Sequence, residues 1–437
     1  MAVLPSACMN ETLLTAVQWH KLRAFSAVAE HGSVHRAARA IHLSQPAVSR
    51  AVQQTEVALG AALFDRTTKG MVLTTAGRYV QFRVGRALNE LRVAVSAIAV
   101  RIPDACGVQQ RRRGLVEVVN ERMLASLVAV WRGGNERVAA DFAGLSVPAL
   151  QRNLRQLEQL ACAPLVTRSG GAARLTDAGE ILLRHAQLAL AEIRVAREEL
   201  ASMQGRLAGR LVVGALPLSS GHLVPGAVDR TLRAHPDLHI SIIDGTYETL
   251  SHGLRCAEVN VIVGALRAAE NEPYVIHETL FTDSLNVVAR VGHPVFRRGA
   301  LRGLRDLIGE TWLMPLSGTP SHAAFERAFR ADGVEPPAAR LQGNSPAIVR
   351  SLLLSSDRLA LLSVRQVQHE LQQGILKVVP VDVRHTERRI GLATLRDSVP
   401  SPGMTVLLGA LRDLSGTARG EADQYCNAAS QNASLSL

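Results

Sequence analysis

The chain has 437 residues, 47% of them hydrophobic and 20% charged, with a formal net charge of +11. That length predicts two to four domains, and that apolar content excludes a disordered polyelectrolyte. No run of about 18 apolar residues occurs, which excludes a membrane-spanning helix, and the positive charge favours an anionic partner such as nucleic acid.

The charge is unevenly placed. Residues 19–101 carry 12 Lys and Arg against 4 Asp and Glu, residues 111–200 carry 13 against 10, and residues 201–437 carry 24 against 22. The basic character therefore belongs to the N-terminal quarter, where a DNA-binding footprint is expected. Residues 1–18 lack the basic start and apolar block of a signal peptide, so they read as a disordered leader, with Met9 as an alternative start. Cys8, Cys106, Cys162, Cys256 and Cys426 are scattered without CxxC spacing, which predicts a reducing cytoplasm and no metal site.

Leu22, Phe25, Val28 and Ala29 recur at helical spacing between Trp19 and Glu30, and Gly32 stops that helix. Ser33 is expected to cap a second helix whose Ala37-Ala38 pair admits close approach. After a turn at His42-Leu43, LSQPAVSR (residues 43–50) opens a third helix, with Ser44 as its cap and Pro46 in its first turn. LFDRTTKGMVLT then reads as two short strands around a Thr-Lys-Gly tip. A helix–turn–helix followed by such a wing is a DNA-reading shape.

The pattern returns at a constant offset of 102 residues. Leu22 falls on Leu124, Gly32 on Gly134, and Ala37-Ala38 on Ala139-Ala140. Pro46 falls on Pro148, Arg50 on Arg152, Glu56 on Glu158 and Gly77 on Gly179. The reading letters change while the core letters persist: Val147 replaces Gln45, Gln151 replaces Ser49, Val166 replaces Phe64, and the second tip is SGGAA. Each copy continues into a heptad stripe, Val80, Val84, Ala87, Leu91, Ala94 and Ile98, then Leu182, Ala186, Ala189, Ile193, Ala196 and Leu200. Such stripes want helix partners. Two arrangements fit: pairing within the chain, or pairing of each helix with its mate in a second copy. The connector at 101–114 reaches roughly 45 Å extended, more than the roughly 34 Å between DNA half-sites one turn apart, so the first is geometrically open.

From Gly209 the texture changes to short apolar runs alternating with helices. RLVVGAL, HISIIDG, VNVIVGA, LNVVAR, TWLMP, RLALLS and RIGLATLR read as strands, which predicts an α/β domain with mainly parallel sheets. Ligands in such folds sit beyond strand C-termini, near helix N-termini. Ser219, Ser220, Tyr247, Arg267, Ser317, Thr319 and Ser345 occupy such places and are the candidate effector contacts, with helix capping or turn formation as their ordinary alternative. Residues 416–437, rich in Ser, Ala and Asn, read as a loose tail.

The span from Trp19 to about Leu91, with AA, LSQPAVSR, LFDR and LTTAG in order, resembles the winged helix-turn-helix of LysR-type transcriptional regulators. The resemblance implies that Gln45, Pro46, Ser49 and Arg50 face the major groove. It places Arg66 and the wing, including Lys69, on the phosphate backbone, and Ser33 and Ser44 join that DNA-binding set. The chemistry agrees, because Gln pairs with adenine, Arg with guanine, and Ser with either a base or a phosphate. In the second copy Gln151, Arg152 and Arg155 could make a weaker or altered DNA contact, against a purely packing role.

Residues 209–414 resemble the family's effector domain, two periplasmic-binding-protein-like lobes around a cleft. GALPLSSGHLVP, IDGTYETL, WLMPLSGTP and LALLSVRQV are most similar to the branch regulating sugar-binding-protein and aromatic-acid genes. Ala257 and Asn260 stand where that branch usually has Gly and Asp.

The fold expected is therefore α/β with DNA-binding heads of all-α type. Its parts are a leader (1–18), a winged helix-turn-helix with linker helix (19–100), a connector (101–120) and a second, degenerate copy (121–205). The effector domain (209–414) has lobe I at about 209–283 and 389–414 and lobe II at about 284–388, followed by a tail (415–437). The function expected is a cytoplasmic DNA-binding regulator with a small-molecule co-inducer, a sugar or a small carboxylic or aromatic acid, and no cofactor or metal. Partners expected are double-stranded promoter DNA, a homo-oligomer and RNA polymerase, with no membrane. A ligand-independent DNA-bridging protein is the alternative. An enzyme is the rival class, but no GxSxG elbow, P-loop, HExxH or dinucleotide fingerprint occurs. His31 and His35 are separated by Gly32-Ser33, and Ser219 near His222 lacks an orienting acid, so neither pair makes a site and no catalytic residue is assigned.

Overall fold

A computed structural model describes residues 18–68, 70–101, 115–217, 223–267 and 273–416. The leader up to residue 17, Lys69, the connector at 102–114, Ser219, Ser220, His222 and the tail from 417 lie outside the described residues. The chain divides into two compact units. One runs to Gly209 and includes Arg255–Glu258; the other comprises Arg210–Leu254 and the chain from Val259 onward.

In the first unit, α1 (Trp19–His31), α2 (Val34–Ala40) and α3 (Gln45–Leu59) precede the hairpin β1 (Phe64–Thr67) and β2 (Gly70–Leu73) and the long helix α4 (Thr75–Arg101). The same order follows in α5 (Glu121–Gly133), α6 (Glu136–Phe142), α7 (Val147–Ala161), β3 (Val166–Ser169), β4 (Ala172–Leu175) and α8 (Asp177–Met203). Leu22, Phe25 and Val28 are buried, as are Leu124, Leu127 and Val130. Gly32 and Gly134 end their helices in the left-handed region, at φ 61° and 66°, where a side chain would be strained. Ser44 accepts a 3.3 Å hydrogen bond from the Ala47 amide, and Ser146 one of 3.4 Å from the Ala149 amide. Ser33 departs from expectation: it stands at the N-cap position, but its side chain makes no capping hydrogen bond.

The shared letters outside the apolar core close each segment on itself. The Glu56 carboxylate accepts from the Leu63 and Phe64 amides at 2.8 and 3.2 Å, tying the end of α3 to β1. Glu158 does the same for Leu165 and Val166 at 2.9 and 3.2 Å. Thr74 caps α4 through the Gly77 amide at 2.9 Å, and Thr176 caps α8 through the Gly179 amide at 3.0 Å. A Cβ at Gly77 would lie 2.0 Å from the Leu63 carbonyl oxygen, and one at Gly179 would lie 2.2 Å from that of Leu165. Gly77→Ala is therefore expected to lower the thermal midpoint by roughly 2–10 °C, from an overpacking cost of about 1–3 kcal/mol. Gly85→Ala, where nothing lies within 4 Å, should leave the midpoint unchanged or raise it slightly. Equal midpoints for the two variants would refute the close approach.

Both heptad stripes are buried, and α4 and α8 pack against each other along their length. Arg83 meets Glu192, Glu90 meets His185 and Arg101 meets Asp177, so the two helices run antiparallel. Of the two pairings the stripes allow, the chain makes the internal one.

The strands of the second unit are β5 (Gly209–Ala215), β6 (Leu238–Asp244), β7 (Val261–Ala265), β8 (Val275–Asp283), β9 (Asn286–Arg290), β10 (Trp312–Leu313), β11 (Leu359–Leu362), β12 (Leu376–Val378) and β13 (Arg388–Leu395). They form a five-stranded sheet in the order β6-β5-β7-β13-β8 and a four-stranded sheet in the order β10-β11-β9-β12. The expectation of mainly parallel sheets is corrected here. β5 with β7 and β10 with β11 are parallel, but β13 runs antiparallel to both β7 and β8, and β9 runs antiparallel to both β11 and β12. The reason is the route of the chain. It leaves the first sheet by β8 and re-enters it by β13, so these neighbours point in opposite directions. β8 and β12 were also missing from the strands read in the sequence. In the four-stranded sheet Trp312 packs edge-on against Phe325 and Phe329, at 5.4 and 5.3 Å between ring centroids. None of the described helices is long and apolar enough to cross a membrane.

Candidate functional site

The N-terminus of α3 is an exposed polar face. Gln45, Pro46, Ser49 and Arg50 are exposed, while Val48, Ala51 and Val52 on the opposite side are buried against α1. This is the division that an amphipathic helix with Pro in its first turn dictates. Arg66 is exposed on β1, and neither Arg50 nor Arg66 has an ion-pair partner among the described residues. Ser44 is exposed but spends its hydroxyl on the cap, and Ser33 is half-buried.

The corresponding face of α7 differs. Arg152 and Arg155 are exposed, whereas Gln151 is half-buried and donates to the Glu136 carboxylate at 2.6 Å. Glu136 also accepts from Arg168 at 2.6 Å.

The second unit holds a cavity of about 330 Å³, within the size range of small-ligand sites. Tyr247, Arg267, Ser317 and Thr319 line it; Ser345 does not, although its neighbours Asn344 and Pro346 do. Ser345 sits at the N-cap position of the helix Pro346–Ser355 without a side-chain cap bond. Thr319 spends its hydroxyl locally, donating to the Leu316 carbonyl at 2.7 Å and accepting from the His322 amide at 3.2 Å. Ser317 accepts from Gln342 at 3.0 Å.

The charged part of the lining is built from two arginines and Glu248. Arg267 lies over the Tyr247 ring at 4.6 Å and pairs with Glu248 at 2.8 Å. A hydrogen bond from its own amide, helped by the Arg267 charge and the Thr246 hydroxyl, holds the Glu248 carboxyl below its ordinary range against the opposing effect of burial. Arg388, only 6% exposed, pairs with Asp283 at 2.7 Å and donates to Ser321 at 2.6 Å. Burial pushes its guanidinium downward, opposed by Asp283. The Nε atoms of Arg267 and Arg388 are buried and have no hydrogen-bond partner among the described residues. Arg388, Ser321 and Glu248 escaped the sequence reading. Arg388 opens a strand where Arg reads as surface, and only the return of β13 beside β8 brings it to Asp283.

Residues 204–416 match the description "LysR substrate binding domain". Residues 19–78 and 122–180 each match "Bacterial regulatory helix-turn-helix protein, lysR family". The HTH-type transcriptional regulator GalR of Pseudomonas putida is 30% identical over 395 residues, covering 90% of this chain and 96% of that protein. A match of that length is too long to omit either N-terminal segment. The HTH-type transcriptional regulator PcaQ of Agrobacterium fabrum is 29% identical over 295 residues, covering 68% of this chain and 94% of that protein. Among solved structures, full-length OxyR from Pseudomonas aeruginosa is similar in fold, with a TM-score of 0.52 at 23% identity, covering 67% of this chain and 97% of that one. CbnR, described as a LysR family transcriptional regulator, gives a TM-score of 0.50 at 19% identity, covering 67% and 98%. The chain belongs to the LysR family of DNA-binding transcriptional regulators with a C-terminal effector-binding domain.

Proposed function

We propose that the chain is a cytoplasmic regulator whose two N-terminal segments are a duplicated winged helix-turn-helix, the first of which reads DNA. Gln45, Pro46, Ser49 and Arg50 contact bases, while Arg66, Ser33, Ser44 and Lys69 hold the phosphate backbone. Gln151, Arg152 and Arg155 make at most a weaker contact. Residues 19–100 and 121–205 form the two heads and 209–414 the effector domain. The reading is supported by the exposed face of α3 and by Arg50, which has no ion-pair partner among the described residues. Backbone contacts of this kind make binding strongly salt-dependent.

The effector we assign to the cavity is a small acid rather than a neutral sugar. The observation that carries this is that Arg267 and Arg388 both line the cavity, each with a buried Nε that has no hydrogen-bond partner among the described residues. A carboxylate satisfies such donors with charge-assisted hydrogen bonds, roughly twice as strong as the neutral ones a sugar hydroxyl makes. Met314 and Val349 line the part that takes the apolar portion of the ligand, and Ser317, Thr319 and Ser321 line the polar part; Ser219 and Ser220 are proposed alongside them from sequence alone.

The test is titration of the full-length protein with small monocarboxylic acids, aromatic acids and neutral sugars, read by calorimetry and by DNase footprinting on adjacent promoters. Acids are expected to bind and to alter the footprint. Arg267→Met is expected to weaken acid binding about 10- to 100-fold, the loss of one charged hydrogen bond worth about 1.5–3 kcal/mol. Binding of sugars but not acids, or no effect of Arg267→Met, would overturn the assignment.

A further inference from the structure

The reading surface of the second segment is already occupied by a carboxylate. Glu136, at the start of α6, accepts from Gln151 Nε2 and from Arg168 Nε, both at 2.6 Å. Its side chain is 17% exposed against 43% for Arg168, so the acid is inside the contact and the guanidinium is folded over it. Burial raises the Glu136 carboxyl, but the hydrogen bonds from Gln151 and Arg168 and the charges of Arg168 and Arg155 outweigh it. The group is held below its ordinary range and is a carboxylate at neutral pH. An acid in a first helical turn also suits the helix dipole, but the dipole does not require Gln151 and Arg168 to converge on it.

The 102-residue offset gives this contact its meaning. Gln151 stands where the first copy has Ser49, Arg168 where it has Arg66, and Glu136 where it has the apolar Val34. In the first copy Ser49 and Arg66 are exposed, and Arg66 has no ion-pair partner among the described residues. One substitution, from Val to Glu, therefore binds the counterparts of a base-reading position and of a backbone-gripping position at once. A DNA phosphate would have to displace that carboxylate from two short hydrogen bonds before it could use either donor.

We propose that Glu136 is an internal phosphate mimic that keeps the second head off DNA, so that one chain reads a single half-site through its first head. The proposal rests on the reading of α7 as the counterpart of the recognition helix α3.

The experiment is fluorescence anisotropy of the full-length protein on a random-sequence duplex across 50–200 mM salt. Glu136→Val, which installs the residue of the first copy, is expected to tighten binding about 3- to 10-fold at the low-salt end. It is also expected to steepen the slope of log K against log salt by about 0.9, the signature of one more phosphate contact. Glu136→Gln keeps the side-chain size and removes the charge; it is expected to shift both quantities the same way by less, and carries the test if the Val variant folds poorly. Asp141→Asn removes an equal charge from the same segment without touching the cluster and should leave the slope unchanged. If both Glu136 variants behave like Asp141→Asn, the proposal is wrong. Gln151→Lys then separates the causes. A gain in affinity shows that α7 faces DNA and that only the clamp fails, and no gain removes the reading of α7 and the proposal together.

Discussion

Arg50→Ala is expected to abolish the specific footprint of the full-length protein, while Arg152→Ala leaves it largely intact. The two arginines hold the same place in α3 and α7, both are exposed, and they are separated by the repeat offset. A lone exposed arginine would contribute little in either helix. The asymmetry comes from the neighbours. Arg50 shares its face with Gln45 and Ser49, both exposed and able to address base edges. Arg152 shares its helix with Val147, which cannot donate to a base, and with Gln151, which is tied to Glu136.

A bidentate arginine–guanine contact is worth about 1–3 kcal/mol of discrimination, roughly 5- to 150-fold in affinity. If, as proposed, the first head alone reads bases, losing it collapses specific binding toward the non-specific level. Losing a backbone contact at the second head weakens every sequence alike. The measurement is DNase protection on the protein's own promoter region at fixed salt, with anisotropy on random DNA beside it. Arg50→Ala should remove protection while random-sequence binding falls by no more than one phosphate contact allows. Equal loss of protection in both variants would refute the division of labour between the heads.

Much of this was legible in the sequence because it depends on spacing. Leu22, Phe25 and Val28, the stripes of α4 and α8, and the caps at Ser44 and Gly32 are local patterns whose physics needs only a helix period. The repeat sharpened them, since Glu56 and Gly77 recur at Glu158 and Gly179 for contacts that each segment must make to close. What the sequence hid depends on chain return. Arg388 and Asp283 are far apart in sequence and meet only because β13 comes back beside β8. Polar alternation in VIHETLFTD masked β8, and with it the mixed character of the sheet. The Glu136 cluster joins residues on α6, α7 and β3. Its one sequence signal was a change of letter at constant offset, Glu136 for Val34, at a position not thought to read DNA. For Ser345 the helix start was a local signal, whereas the lining of the cavity by its neighbours Asn344 and Pro346 depends on the tertiary setting.

The internal pairing of α4 and α8 carries the largest expected cost. Arg83 is 1% exposed, donates to Glu199 at 3.0 Å and pairs with Glu192 at 3.0 Å. Burial alone would push its guanidinium down, yet the hydrogen bonds and charges of Glu199 and Glu192 raise it above its ordinary range. Arg83→Ala leaves Glu199 facing the gap and Glu192 held by Arg86 alone, and breaking a buried pair in this way costs about 3–5 kcal/mol. For a unit of this size the thermal midpoint should fall by roughly 6–20 °C. Replacing Arg83 and Glu199 by apolar groups (Arg83→Met with Glu199→Leu) should recover most of the loss, because Glu192 keeps its pair with Arg86 at 2.7 Å.

The placement of the pairs explains why this is the test of the internal arrangement. Arg83 meets Glu192 and Glu90 meets His185, and the offset carries position 83 to 185 and position 90 to 192. One contact is the other with the two copies exchanged, which is the self-complementary form of a two-fold interface. Here both sides of that interface belong to one chain. The difference in midpoint between the natural protein and Arg83→Ala should therefore stay constant when protein concentration is changed tenfold. A pairing made between chains would be governed by mass action, and a difference that shrinks or grows with concentration would exclude the internal pair.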